Sequence, residues 1–145
     1  MIYCDTSFLL PLYVETDSFH AQVRKLAVHF RSPIPLTLLA ELELHNGIRR
    51  AVAQGHLALP QHDGIFRRIA EDEATGILER FNLNSSEHYA RARELSKKFT
   101  PHLLLRSLDI LHVAAALLLK AEILASFDER QRQLAKKAGL KLLPR

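Results

Sequence analysis

The stretch LLLRSLDILHVAAALLL, residues 103–119, is apolar enough to be a buried helix, yet it carries Asp109 and His112 about one turn apart. An ionised carboxylate left alone in an apolar interior is strongly disfavoured, so Asp109 needs a proton, a partner or a metal. On both sides of this stretch, short apolar runs alternate with longer amphipathic ones. MIYCD at 1–5 reads as a short strand ending at Asp5, with Thr6 or Ser7 placed to cap the helix that follows through LLPLYV. A second helix is expected over 17–30. PIPL at 33–36 is the next apolar run, followed by TLLAELELHNGIRRAVAQG, where Thr37 can serve as N-cap and Gly55 as the stop. Pro60 and the run DGIFRRIAEDEA indicate another helix, and ILERFNL a strand.

NSSE at 84–87 has capping-box spacing and opens the helix HYARARELSKKF, which Thr100 and Pro101 are expected to break. Beyond the opening stretch, AEILASF reads as a strand closed by Asp128, ERQRQLAKKAG as a helix and LKLLP as a strand. This alternation predicts an α/β fold, a small, mostly parallel sheet flanked by helices on both faces. No repeat or linker interrupts the chain, so residues 1–145 are read as a single domain.

Composition narrows the function classes. With 48% hydrophobic and 25% charged residues, the chain is neither disordered nor low-complexity. Cys4 is the only cysteine and sits in an apolar run, which excludes an internal disulfide and favours a core thiol. No basic leader precedes an apolar segment, and no 18-residue apolar stretch occurs, so a soluble cytoplasmic protein is expected. The formal charge of +4 is a weak pointer to a polyanionic partner. Zinc-ligand spacing, a Gly-rich phosphate loop and a thiol-catalysis arrangement are all missing.

Function in open parallel sheets gathers at the carboxyl ends of the strands. Asp5 and Asp128 each close an expected strand and so face one edge, and Asp109, early in its helix, can project to that edge. The helix after PIPL supplies a fourth acid, Glu41 or Glu43. At roughly 100° per residue, Glu43 shares a polar sector with Asn46, Gly47, Arg50 and Gln54, whereas Glu41 falls beside Ile48 and Val52. Four converging carboxylates repel one another, and the usual remedy is a hard divalent cation bound through oxygen.

Each acid also has an ordinary explanation. Asp128 with Gln131 fits a capping box, Asp109 suits the positive end of a helix dipole, Asp5 suits a turn and Glu43 an exposed helix face. His112 shares a helix face with Asp109 and is read as packed or hydrogen-bonded. The four acids together carry more weight than any one of them, because all four ordinary explanations must hold for a site to vanish.

MIYCDTSFLLPLY, TLLAELELHNGI, LRSLDILHVAAAL and ASFDERQRQLAKKAGLKLL, in that order and over nearly the whole chain, resemble the PIN-domain family, specifically its VapC-like toxins of toxin–antitoxin pairs. The resemblance implies a small parallel sheet with helices and an acid set around Mg²⁺ or Mn²⁺. By position that set is Asp5, Glu43, Asp109 and Asp128, with Glu43 preferred to Glu41 because Thr37 matches the family's small polar residue six places earlier. Thr6, Ser7 and Ser126 are expected to line the site. Gly47 departs from the family's more usual Ala.

The implied activity is metal-dependent, single-strand-specific cleavage of RNA, and the implied partners are a cognate antitoxin and a second copy of the chain. The segment FLLPLYV and the helix from Leu38 to Val52 are the expected antitoxin surface. Arg50, Arg106 and Arg130, with Arg49, are placed in sequence to hold RNA phosphates. The alternatives are a catalytically inactive PIN-like domain that binds RNA or protein, and a flap-nuclease-like or phosphatase-like enzyme.

Overall fold

The computed structural model describes residues 1–145, with five strands and seven helices in alternation. In chain order they are β1 (Ile2–Cys4), α1 (Thr6–Tyr13), α2 (His20–Ala27), β2 (Ile34–Thr37), α3 (Leu38–Ala53), α4 (Leu59–Ala74) and β3 (Leu78–Phe81), followed by α5 (Ser85–Leu103), α6 (Ser107–Leu118), β4 (Ile123–Ala125), α7 (Glu129–Lys137) and β5 (Lys141–Leu143). Every strand pairing is parallel, as the alternation requires. β1, β4 and β5 form one ladder in that order, and β2 and β3 a second. β2 lies beside β1, and the Tyr3 hydroxyl reaches Thr37 Oγ1 at 3.4 Å across the junction.

The two-residue period of the strands divides the core. Cys4 and Ala125 face a cluster built on α1 to α4, with Phe8, Leu9, Leu44 and Ile48 buried there. Tyr3 and Leu124 face the opposite cluster, built on α5 to α7 around Ala92, Val113, Ala114 and Leu134. Helices therefore cover both faces, which explains why these short strands are almost continuously apolar. Buried alanines at 114–116 let α6 approach closely, and Ile110, His112 and Val113 are buried with them, whereas Leu104 and Leu108 of the opening stretch are exposed and not packed as expected.

Several boundaries differ from those read in the sequence. The first helix is capped by Asp5 itself, not by Thr6 or Ser7: Asp5 Oδ1 accepts the Phe8 N–H at 3.1 Å. The helix expected over 17–30 covers only His20–Ala27. α5 does not break at Thr100–Pro101 but continues to Leu103: Pro101 forfeits one N–H bond to the preceding turn, and the helix still closes beyond it, where the Leu104 N–H reaches the Thr100 carbonyl. Asp128 does not close β4, which ends at Ala125; the loop Ser126–Phe127 intervenes and Asp128 caps α7. The strand expected over 77–83 is reduced to Leu78–Phe81.

Candidate metal and phosphate cleft

β1 lies between β4, its ladder partner, and β2, which packs beside it, and a crevice opens at its carboxyl end, where the segments that follow these strands diverge. Asp5 follows β1, α3 springs from the end of β2, and Asp128 follows β4 by way of a short loop. Parallel strands put all three on one edge. α6 delivers Asp109 there from its first turn. The resulting cleft, about 310 Å³, is lined by Asp5, Glu43, Asp109 and Asp128 together with Thr6, Ser7 and Arg106.

Asp5 is 1% exposed. Its Oδ1 accepts the Ser7 hydroxyl at 2.7 Å and its Oδ2 the Ser126 hydroxyl at 2.7 Å. Those hydroxyls in turn accept the N–H groups of Phe127 at 2.8 Å and Asp128 at 3.0 Å, so Asp5 also organises the loop that presents Asp128. Burial pushes the Asp5 carboxyl up, and the His112 charge and the bonds from Ser7, Ser126 and the Phe8 N–H only partly offset it. The cleft thus holds a desolvated acid with no direct cationic partner.

Asp109 is 4% exposed and its Oδ2 accepts the Arg106 N–H at 3.0 Å. Asp128 Oδ1 accepts the Gln131 N–H at 3.0 Å. Glu43 Oε2 accepts the Thr6 hydroxyl at 2.6 Å and faces His112 Nε2 at 2.5 Å. Burial alone would raise the Glu43 carboxyl; the bonds from His112 and Thr6 and the His112 charge outweigh it and hold the group below its ordinary range. Glu41 lies outside the cleft and is bound to Arg80 of β3 at 2.7 Å, with Arg80 also holding Glu73 of α4 at 2.7 Å.

Asp109 Oδ1, Asp128 Oδ2 and Glu43 Oε1 make no hydrogen bond within the chain. These are hard oxygen donors in a cleft that sets four carboxylates against one guanidinium, so the residues suit a divalent cation chemically. As they stand, no three His, Cys, Asp or Glu side chains are gathered into a ready ligand set. Side-chain movement would have to complete one.

The basic residues scatter. Arg106 lines the cleft, whereas Arg50, two turns beyond Glu43, lines a separate groove with Leu10, Val14 and Gly47. Arg130 is exposed on α7 and outside the cleft, and Arg49 stacks over Phe66 at 5.2 Å. One cleft feature, the Gln131 side chain, escaped the sequence, whereas His112, read there as packed or hydrogen-bonded, is both. Gln131 supplies its backbone N–H to Asp128, but its side chain does not return the bond expected of a capping box. Instead it lines the cleft with Oε1 buried and unpartnered. His112 is fully buried and bonded at both ring nitrogens, to Glu43 and to the Tyr3 hydroxyl at 2.9 Å. The signal for the histidine was its position one turn after Asp109; Tyr3 looked like any strand aromatic.

A PIN-domain family model matches residues 2–137, and this chain belongs to the PIN domain family. Its fold is similar to that of Mycobacterium tuberculosis VapC20, described as a sarcin–ricin loop cleaving toxin, with TM-score 0.71, 14% identity and coverage of 97% of this chain and 96% of that one. It is similar also to VapBC2 of Rickettsia felis bound to a promoter DNA fragment, with TM-score 0.67, 17% identity and coverage of 98% and 97%. For FitAcB of Neisseria gonorrhoeae the values are 0.65, 20%, 98% and 96%. At these identities the likeness is one of fold. No curated protein matches significantly.

Proposed function

We propose that this chain is a divalent-cation-dependent endoribonuclease, the toxin of a toxin–antitoxin pair, cutting single-stranded regions of RNA. The observation that carries the proposal is the meeting of Asp5, Glu43, Asp109 and Asp128, from four separate parts of the chain, in one cleft where the two parallel ladders adjoin. Membership of the PIN family and the toxin identity of its fold neighbours support it.

In this reading Asp5 and Asp109 would hold Mg²⁺ or Mn²⁺, and Glu43 or Asp128 would act through a water or help activate the nucleophile. Such a cation, when bound, lowers the pKa of water and offsets charge on a phosphate under in-line attack. The protein's own contribution is positional. Ser7 and Ser126 fix both oxygens of Asp5, Thr6 steadies Glu43, and Arg106 at the rim attracts the RNA phosphate. Arg50 and Arg130 hold more distant parts of the strand.

The antitoxin, on this reading, occupies the groove of about 600 Å³ between α1 and α3, where Leu10, Val14 and Ala51 offer apolar contacts and Arg50 a charge. A second copy of the chain covers the exposed Leu38, Leu42 and Tyr89 beside the α3–α5 groove. No helix is long and apolar enough to cross a membrane, in keeping with a toxin acting on RNA in the cytoplasm.

The test is cleavage of a mixed RNA pool by antitoxin-free protein with Mn²⁺, Mg²⁺ or EDTA. Asp5→Asn and Asp109→Asn, each checked for folding, are run alongside. The expected result is metal-dependent cleavage that falls more than about a hundredfold in each variant. RNA binding that survives EDTA and both substitutions, with no cleavage, would instead identify an inactive RNA-binding PIN domain.

A further inference from the structure

A chain of hydrogen bonds runs behind the cleft to Glu43 through Tyr3 and His112, two residues that the mechanism above does not use. Thr37 Oγ1 lies 3.4 Å from the Tyr3 hydroxyl, which lies 2.9 Å from His112 Nδ1, while His112 Nε2 lies 2.5 Å from Glu43 Oε2. It crosses from β2 through β1 and α6 to α3, and so links both helical layers. Tyr3 and His112 are both fully buried.

The donors and acceptors can be assigned without conflict. A carboxylate oxygen only accepts, so His112 Nε2 carries the proton that bonds Glu43. Nδ1 accepts from the Tyr3 hydroxyl in a neutral ring and donates to it in a charged one, and the Thr37 hydroxyl, whose oxygen already accepts the Ala40 N–H at 3.3 Å, donates to or accepts from Tyr3 accordingly. Glu43 Oε2 is therefore saturated by His112 and Thr6, while Oε1 has no partner in the chain.

We propose that His112 is a positioning residue for the cleft: braced by Tyr3, it clamps Oε2 of Glu43 so that Oε1 is the oxygen turned towards the bound cation and its water. The proposal rests on the nuclease reading above and adds a residue which that acid set does not contain. Simple packing is a poor account of this histidine. An apolar side chain would fill the same volume without needing partners for two buried nitrogens, whereas here both partners are present and one is a cleft carboxylate. The same helix thus places Asp109 in the cleft and, one turn later, grips the acid on the opposite side.

The test compares His112→Leu, His112→Gln and Tyr3→Phe with the wild type in three measurements. These are Mn²⁺ affinity by calorimetry and electron paramagnetic resonance, kcat against KM for RNA cleavage, and imidazole ¹⁵N spectra of the metal-free protein. His112→Leu removes both bonds and is expected to weaken Mn²⁺ binding by about 10- to 100-fold, lowering kcat more than KM. His112→Gln, which keeps an N–H donor, is expected to recover part of that loss, and Tyr3→Phe to cause a smaller one. The wild-type spectrum is expected to show a protonated Nε2 that shifts in Glu43→Gln.

A folded His112→Leu protein that binds Mn²⁺ and cleaves RNA as the wild type does would overturn the proposal alone. If His112→Leu does not fold, the other two variants decide: unchanged Mn²⁺ affinity in both would equally overturn it. A wild type that neither binds Mn²⁺ nor cuts RNA would bring down the nuclease reading first, and this proposal with it.

Discussion

Asp109 and Glu41 show how differently two acids on largely apolar helices are accommodated. Asp109 sits in the first turn of α6, where one oxygen takes the Arg106 N–H and the other is free in the cleft. That resolves the apparent conflict of a carboxylate in LRSLDILHVAAAL: the apolar neighbours pack the sheet and α5, and the acid stands at their edge. Glu41 is instead neutralised by Arg80, whose bond is the first cause holding its carboxyl below the ordinary range. A lowered folded value means stability that is present above the ordinary titration range, about pH 4.3, and lost as pH falls through the folded value. Glu41→Gln should therefore cost about 0.5–1 kcal/mol near neutrality, discounted for an Arg80 side chain that is half exposed. The gap in melting temperature from the wild type should close on acidification, while RNA cleavage stays unchanged. Loss of cleavage in Glu41→Gln with retention in Glu43→Gln would reverse their assignment. The helical wheel separated these two acids because three-dimensional position follows from the period. It could not show Tyr3 against His112, residues 109 apart, since that contact depends on how α6 lies across β1.

At the scale of elements, sequence signals worked where local chemistry sets the boundary and failed where the rest of the fold does. Thr37 caps α3 and Asn84 caps α5 because each side chain bonds an N–H three residues on. Gly55 follows α3 with φ +75°, as its use as a stop predicts. At α5 the proline was a misleading signal: α5 packs along α6, and that contact carries the helix past Pro101. The helix then ends on Leu104 in the left-handed region, φ 49° and ψ 49°, with the side chain 79% exposed. A leucine there bears the steric cost of that conformation and gains little burial in return. Leu104→Gly should raise stability by about 1 kcal/mol, read as a shift in the denaturant midpoint with unchanged slope. A lower midpoint would mean that the exposed leucine stabilises the turn by a contact outweighing its backbone strain.

For the molecule as a whole, the parallel topology could be read from alternation alone, and with it the edge on which acids would gather. What alternation could not supply was the strand order that puts β1 between β4 and β2, because pairing partners distant in sequence leave no local mark. That order makes Asp5 the centre of the cleft, with Glu43 reaching it from the α1–α4 layer and Asp109 and Asp128 from the α5–α7 side. A cation held by these acids would tie the two layers together and relieve the desolvated Asp5, so it should bind the folded chain far better than the unfolded one. Linkage then requires a rise in stability of about 2.7 kcal/mol when free Mn²⁺ reaches a hundred times its dissociation constant. Thermal unfolding in EDTA and in stepped Mn²⁺ should show the melting temperature climbing with log concentration once the site fills. Asp5→Asn should behave differently at both ends of the titration: it removes a buried charge and so melts at or above the metal-free wild type, and it should respond weakly to Mn²⁺. Equal Mn²⁺ responses in the two proteins would place the cation somewhere other than this cleft, whatever the protein does to RNA.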